Sequence, residues 1–351
     1  MDTEIADNQR SIMVDRNSVK QEFLSQHGWD QALSVKIPGD ASYRKYERLS
    51  QHGESRILMD APPEKESVVS FIEVAEFLSA NDINAPKILA KDTENGFLLL
   101  EDFGNDSYSK VLSGTSSYAD SVTEITLYEH AVDALIKLHQ AQIPESLPHY
   151  NEEKLINGAM LMLEWYYPAI NNQPLSDTLQ QEYIAIWKQL LPMALILPSV
   201  VALRDYHADN LMWLPERQGT DRVGQLDFQD AMGCSPAYDL VSLLEDARRD
   251  VSQEVAESMI NRYLAARPDI MRKDFLAAYA ILGAQRNCRI VGVFARLAVR
   301  DHNSKYLSKL SRVWKHIEND MKHPLLVPLK EWFRKVNSSQ SSSSGKPVRA
   351  S

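Results

Sequence analysis

A strand–loop–strand pattern in the second half of the chain constrains the fold more than any other feature. Residues 200–203 are apolar and predict a buried strand, and residues 211–214 predict a second one. Pro215 and Gly219 are typical of a turn, after which residues 223–228 are expected to return antiparallel to the second strand. The pattern therefore predicts that polar residues at the ends of these strands lie close together on short, stiff elements.

Three oxygen-bearing side chains, Asp205, Asn210 and Asp227, meet in this pattern. An amide and a carboxylate suit Mg²⁺, which binds through one or two carboxylates together with substrate phosphates. The spacing from Asp205 to Asn210, followed by Asp227-Phe228, is that of the catalytic and metal-binding loops of kinases. The sequence thus predicts ATP- and Mg²⁺-dependent phosphoryl transfer, with Asp205 as catalytic base and Asn210 and Asp227 as metal ligands. The alternative is an ordinary hairpin with polar loops.

These motifs resemble the aminoglycoside phosphotransferase and choline kinase superfamily, and within it the bacterial amino-sugar kinases that act on the anomeric hydroxyl of N-acetylmuramate or N-acetylglucosamine. The resemblance covers about residues 20 to 335. It rests on Arg204-Asp-Tyr-His-Ala-Asp-Asn, Leu226-Asp-Phe-Gln-Asp, Pro236-Ala-Tyr-Asp-Leu, Gly39-Asp-Ala-Ser-Tyr-Arg, Met59-Asp-Ala-Pro-Pro-Glu, Leu98-Leu-Leu-Glu-Asp-Phe-Gly and Gly292-Val-Phe-Ala-Arg-Leu-Ala-Val-Arg-Asp.

The resemblance implies an α+β, two-lobed, protein-kinase-like fold with a small antiparallel β-rich N-lobe and a mainly helical C-lobe. Residues 1–20 are expected to form a loose lead-in, 21–103 the N-lobe, 104–336 the C-lobe and 337–351 a disordered Ser-rich tail. Hydrophobic periodicity predicts N-lobe strands at 33–37, 43–49, 56–59, 87–90 and 97–100. It predicts helices at 21–27, 67–80, 118–141, 155–167, 178–191, 236–248, 253–265, 272–295 and 306–319.

The nucleotide is expected to contact two parts of the N-lobe. A tight turn at Asp40, Ala41 and Ser42 joins the first two predicted strands, and backbone N–H groups in such a turn can approach phosphate oxygens. An ordinary hairpin turn is the alternative. The resemblance further implies that backbone groups near Glu101 and Phe103, at the lobe boundary, bind adenine.

The third predicted strand lacks the lysine that kinases place there to contact phosphates, since it ends in Ile57-Leu-Met-Asp60. Arg44 or Lys45, on the preceding strand, is a candidate to replace it. The alternative is that both are exposed strand charges.

The sequence also offers candidates for residues that contact the substrate and for residues that support the catalytic loop. Glu164 and Trp165 combine a carboxylate with an aromatic face, as sugar sites do, although core packing explains Trp165 equally well. Arg286 can bind a carboxylate bidentately, and a structural ion pair is the alternative. The remaining three residues are expected to support the catalytic loop: His207 through local hydrogen bonds, and His139 and Asp239 as the resemblance implies.

The acceptor is expected to be a small molecule. Few residues separate Asp227 from the next predicted helix, which leaves no room for the peptide-docking segment of a protein kinase. Another small alcohol, such as an aminoglycoside, choline or a homoserine-like amine, is an alternative to the amino sugar. A non-catalytic nucleotide-binding regulator is a third possibility, because the third-strand lysine is missing.

The composition of the chain limits the binding partners and the cellular location that we expect. A net charge of −10 argues against a nucleic-acid or anionic-membrane binder. The two cysteines, Cys234 and Cys288, do not suggest a disulfide scaffold, and the acidic N-terminus does not resemble a signal peptide. A cytoplasmic protein is therefore expected, and its oligomeric state is left open.

Overall fold

Five antiparallel strands form the N-terminal sheet in the order β1-β2-β3-β5-β4. The computed structural model describes residues 16–38 and 43–341, with the backbone alone at 339–341. The strands are β1 (Leu33–Ile37), β2 (Lys45–Gln51), β3 (Glu54–Asp60), β4 (Ile88–Asp92) and β5 (Phe97–Glu101). Each predicted N-lobe strand is therefore present, with its ends displaced by a few residues.

Both faces of this sheet are covered because its central strands are apolar on both sides. Leu58 and Leu99 lie under a helix formed by residues 16–26, which we call α1. Met59 and Leu98 point to the opposite face, where α2 (Val69–Ala80) packs with its buried side chains. Alternating side chains on a strand point to opposite faces, so each apolar run serves both helices.

The rest of the described chain is mainly helical. After α3 (Tyr108–Leu112) come α4 (Glu124–Leu138), α5 (Glu152–Leu161), a π-helical segment (Met162–Tyr166), α6 (Tyr167–Asn171), α7 (Asp177–Ala194), α8 (Ala237–Leu244), α9 (Gln253–Ala266), α10 (Arg272–Val299), α11 (Leu310–Asp320) and α12 (Val327–Ser341). Two short antiparallel strand pairs lie among the helices. Strand β6 (Val200–Ala202) pairs with β9 (Met232–Cys234), and β7 (Leu211–Trp213) pairs with β8 (Val223–Gln225).

The long helix α10 crosses α5 at unusually short range. A Cβ placed on Gly292 would lie 2.2 Å from the carbonyl carbon of Leu161, so only glycine fits at this crossing. The π-helical segment begins at the next residue, Met162, and such segments are inserted turns that widen a helix locally. This close contact therefore fixes the position of α10 against α5.

The predicted fold class, a β-rich N-lobe followed by a helical C-lobe, is confirmed. Residues 16–20, part of the expected lead-in, are helical and continue into the predicted helix at 21–27, where Phe23 and Leu24 pack on the sheet. The helix α12 runs to Ser341, into the expected tail, while residues 1–15 and 342–351 lie outside the described residues. Strand β9 and helix α3 are short and were not predicted from periodicity.

No helix within residues 16–38 and 43–341 has the length and apolar character needed to cross a bilayer. Both cysteines are buried and unpaired.

Two acids, Glu245 and Asp320, are buried together against α10. Asn287 donates hydrogen bonds to both, at 2.7 Å to Glu245 Oε2 and 3.3 Å to Asp320 Oδ2. Burial raises the pKa of each carboxyl group, and the charge of Glu245 raises that of Asp320 further. The folded pair therefore keeps a proton that the unfolded chain releases.

This pair predicts a pH-dependent stability. As the pH rises from about 4, the ordinary pKa of a carboxyl group, through the raised values of the pair, the unfolded state loses its proton first and the free energy of unfolding falls. Asp320→Asn replaces one acid with a neutral amide, so the decline should be shallower in urea titrations at pH 5 to 8. The exposed Glu318→Gln, on the same helix, is the control and should follow the unmodified protein. Equal slopes for all three proteins would show that the pair holds no shared proton.

Candidate active site

The loop after β6 is held by a buried carboxylate on α8. Asp239 accepts hydrogen bonds from the backbone N–H groups of Leu203, at 2.7 Å, and Arg204, at 2.8 Å. Arg204 has a φ of 72°, a left-handed conformation that costs energy for a residue with a side chain. The two hydrogen bonds to Asp239 stabilise the backbone up to this strained residue. They thereby fix the position of Asp205, which follows directly.

The carboxylate of Asp205 is half-buried and makes no hydrogen bond to any residue in the described ranges. Its backbone carbonyl accepts a 3.0 Å hydrogen bond from Asn210 Nδ2. Asn210 Nδ2 also lies 3.3 Å from Asp227 Oδ2. The structure thus brings the three predicted residues together, and leaves the Asp205 carboxylate available to accept a proton.

Asp227 lies in a strongly negative environment. Burial raises the pKa of its carboxyl group, a hydrogen bond from Gln229 (2.8 Å) lowers it, and the charges of Asp205 and Asp230 raise it again. The guanidinium of Arg44 is the cation that opposes this effect. Because Asn210 directs its amide nitrogen toward Asp205 and Asp227, its amide oxygen is left for a cation. An amide oxygen beside a carboxylate fits the donor preference of Mg²⁺.

No three His, Cys, Asp or Glu side chains are grouped so that they could hold a metal ion, within the residues that the structure describes. A two-residue protein site for Mg²⁺ is compatible with this finding, since that ion takes its remaining ligands from phosphates and water.

Arg44 lies immediately before β2, and its guanidinium is close enough to Asp227 to lower the pKa of that carboxyl group. It is 7% exposed, and its guanidinium forms a 2.8 Å ion pair with Glu66, which lies just before α2. Lys45, by contrast, is exposed. Of the two candidates for the phosphate-contacting cation, the structure therefore places Arg44 toward Asp227. Asp40, Ala41 and Ser42 lie outside the described residues.

The phenylalanine after Asp227 joins the two lobes. Phe228 is fully buried, and its ring lies 4.8 Å from that of Phe71 on α2. On the other side of the catalytic loop, the hydroxyl of Tyr206 donates a 2.8 Å hydrogen bond to the carbonyl of Ala131 on α4. The segments that carry Asp205 and Asp227 are thus anchored on separate helices.

The side chains of Glu101 and Phe103 hold the segment between the two lobes, which we call the hinge, against the C-terminal part of the chain. Arg217 donates a 2.5 Å hydrogen bond to Glu101 and places its guanidinium 5.0 Å from the ring of Phe103. A Cβ on Gly224 would lie 2.6 Å from that ring, so Phe103 rests directly on the backbone of β8. On the sheet side, Arg48 forms a 2.6 Å ion pair with Asp102. Any contact with adenine at this hinge is therefore left to backbone groups.

The two histidines have different surroundings. Arg248 donates a 3.0 Å hydrogen bond to His207 Nε2, so the neutral ring carries its proton on Nδ1. Burial lowers the pKa of His207 well below its usual range. His139 was expected to contact the catalytic loop, but its Nδ1 lies 2.7 Å from the hydroxyl of Tyr263 on α9 instead. Burial lowers the pKa of His139 to about 3, so it is a neutral core residue.

The three predicted substrate residues do not converge. Arg286 is buried, and its guanidinium donates a 2.7 Å hydrogen bond to Ser242 on α8, so it belongs to the interior. Glu164 is exposed and lines a cavity of about 710 Å³ between α5 and α7, whose lining includes neither Asp205 nor Trp165. Arg286 reaches the catalytic loop only from behind, because Ser242 in turn donates a 3.1 Å hydrogen bond to the carbonyl of Arg204.

Other residues near the site were not singled out from the sequence. Arg204 stacks 5.1 Å from the ring of Tyr150 and donates a 3.2 Å hydrogen bond to the carbonyl of Asp230. Glu66 was also missed, although an acidic residue just before a predicted helix is the signal that could have found it. Tyr150 gives no sequence signal, since its role depends on the packing of α5.

The sequence profile of the phosphotransferase enzyme family matches residues 35–273. The chain belongs to this family, and it is a phosphotransferase.

Individual relatives narrow the comparison. The N-acetylmuramate/N-acetylglucosamine kinase of Caulobacter vibrioides is 36% identical, over 92% of this chain and 97% of its own length. Among solved structures, the choline kinase of Streptococcus pneumoniae has a TM-score of 0.60 at 15% identity, covering 86% of this chain and 99% of that one. An ADP-bound aminoglycoside phosphotransferase has a TM-score of 0.57 at 14% identity, covering 85% and 97%. The two structures share the fold of this chain.

Asp239→Asn tests the brace behind the catalytic loop. An asparagine supplies one acceptor oxygen where two N–H groups need one each, so a buried donor is left unpaired at a cost of about 1–3 kcal/mol. We expect the free energy of unfolding to fall by that amount in urea titrations, and turnover to fall with it because Asp205 follows directly.

Asp246→Asn is the matched control. Asp246 is also buried, but of its two carboxylate oxygens only Oδ1 accepts a backbone N–H, that of Arg248, so the single oxygen of an asparagine amide keeps this backbone donor paired. Equal losses of stability in the two variants would contradict the brace.

Proposed function

We propose that the protein is an ATP- and Mg²⁺-dependent kinase that phosphorylates the anomeric hydroxyl of N-acetylmuramate and N-acetylglucosamine. The observation that carries the reaction type is the unpaired Asp205 carboxylate beside the Asn210–Asp227 pair. The named relatives support the choice of sugar. Peptidoglycan-derived sugars, released in the cytoplasm, are the source we expect for this substrate.

In this reaction Asp205 orients the sugar hydroxyl and accepts its proton. The hydroxyl oxygen forms a bond to the γ-phosphorus, the bond from that phosphorus to the β,γ-bridging oxygen breaks, and ADP leaves with the electron pair. Asp205 suits this role because it is the carboxylate of the site with no protein donor. Asp239 and the strained backbone at Arg204 keep it in place.

Asn210 and Asp227 would hold Mg²⁺ through an amide oxygen and a carboxylate. When bound, the ion neutralises charge on the phosphates. The protein's own contribution is to place the negative charges of Asp205 and Asp230 beside Asp227, whose pKa they raise. Arg44, held by Glu66, is placed to contribute a further positive charge to the phosphates.

The surroundings of Asp205 favour a neutral or anionic acceptor over choline or an aminoglycoside. A cationic substrate needs uncompensated acidic groups around it, whereas Arg204 and Arg289 both lie near Asp205 and Asp230. The chain also passes directly from Asp227 through β9 into α8, which leaves no platform for a peptide. A small sugar meets both constraints.

Asp205→Asn tests the base. Removal of general base catalysis is worth about a hundredfold or more, so we expect ATP consumption with either sugar to fall at least that far. Asp209→Asn, an exposed acid in the same loop, is the control and should retain turnover. Phosphorus NMR of the wild-type product should show a sugar 1-phosphate. Full activity in Asp205→Asn would contradict the mechanism, and nucleotide binding without turnover of any sugar by the wild type would favour a regulator.

Arg44→Ala tests the phosphate contact. A charge-assisted hydrogen bond contributes about 1.5–3 kcal/mol, so its loss should raise the KM for ATP about ten- to a hundredfold. Lys45→Ala removes the neighbouring exposed charge and should leave the KM for ATP unchanged. An unchanged KM in Arg44→Ala, or an equal rise in both variants, would show that Arg44 does not replace the missing strand lysine.

A further inference from the structure

Arg289 on α10 is a half-buried cation that the protein leaves without a partner. Its guanidinium makes no hydrogen bond or ion pair with any residue in ranges 16–38 and 43–341. Arg286, one turn earlier, differs in this respect because it donates to Ser242. A buried or half-buried guanidinium has a large desolvation cost, so its retention without a protein acceptor points to an acceptor supplied from outside.

The position of Arg289 is fixed by a glycine on α5. A Cβ on Gly158 would lie 3.3 Å from Arg289 Cδ and 3.6 Å from the hydroxyl oxygen of Tyr150. Both side chains therefore pass over the same glycine and end near each other. The hydroxyl of Tyr150 also makes no hydrogen bond within the described part of the chain, so a guanidinium and a free hydroxyl lie side by side.

This pair lies on the acceptor side of the catalytic loop. The ring of Tyr150 stacks under Arg204, the residue before Asp205. Although burial lowers the pKa of the Arg289 guanidinium, the phenols of Tyr238 and Tyr150 and the carboxylates of Asp205 and Asp230 together raise it above its usual range. Arg289 is thus charged, and it is electrostatically close to the catalytic base.

We propose that Arg289, assisted by the hydroxyl of Tyr150, binds the carboxylate of the lactyl group of N-acetylmuramate. The inference rests on the proposed function, because N-acetylmuramate is N-acetylglucosamine with a lactyl ether on C3. Arginine suits this task, since its planar fork of N–H groups matches a carboxylate bidentately. N-acetylglucosamine has no lactyl group and makes no such contact. Arg289 is accordingly a specificity-determining residue for one of two substrates.

The two sugars provide an internal comparison. In Arg289→Gln, loss of a charge-assisted contact should lower kcat/KM for N-acetylmuramate about ten- to a hundredfold, chiefly through KM. For N-acetylglucosamine, kcat/KM should change less than about twofold. Arg289→Lys keeps the positive charge but not the planar fork of N–H groups. Its kcat/KM for N-acetylmuramate should therefore lie between those of the unmodified protein and Arg289→Gln. Arg272→Gln removes a charge from the first turn of the same helix, about 25 Å away, and should change neither value.

Retained N-acetylglucosamine turnover also shows that the variant is folded. Equal losses with both sugars would overturn the proposal and make Arg289 a residue that positions Asp205. Unchanged selectivity would overturn it too and place the lactyl group elsewhere. Failure of the wild-type protein to phosphorylate either sugar would refute the proposed function itself, which separates that outcome from a failure of this inference.

Discussion

The catalytic arrangement depends on the two hydrogen bonds that Asp239 accepts from the backbone of the loop after β6. They hold Arg204 in a left-handed conformation, and this conformation turns the chain so that Asp205 enters the cleft. Burial raises the pKa of Asp239 to about 7, while the two N–H groups and Arg286 lower it. Arg286, a candidate substrate residue in the sequence, therefore stabilises the charged form of this carboxylate from the interior.

Much of the fold follows from local sequence, because apolar alternation and helical spacing are local properties. The five N-lobe strands and the β7–β8 hairpin were predicted in this way, and Asp205, Asn210 and Asp227 came with the hairpin. Strand β9 was missed because Met232-Gly-Cys234 is too short to show a pattern, and it becomes a strand only by pairing with β6. The position of a residue was predictable where a spacing defined it, and not where packing did.

The cationic residues illustrate this limit most clearly. Arg286 and Arg289 are one helical turn apart and look equivalent in the sequence. The structure turns Arg286 into the interior toward Ser242, and it sets Arg289 over Gly158 toward the catalytic loop. Similarly, Arg44 and Lys45 are adjacent in the sequence, but Arg44 is buried beside Glu66, whereas Lys45, the first residue of β2, is exposed. This difference depends on the position of Glu66 just before α2, which the local sequence does not define.

The contact of Phe103 with the backbone of Gly224 joins the hinge to β8. Asn210 and Asp227 flank the same β7–β8 hairpin, so the distance from the hinge to these two residues is set by that hairpin. Arg44 directly precedes β2 and so moves with the sheet. A rotation of the sheet about the hinge would therefore withdraw the guanidinium of Arg44 from Asp227, while the hinge, Asn210 and Asp227 would keep their relative positions.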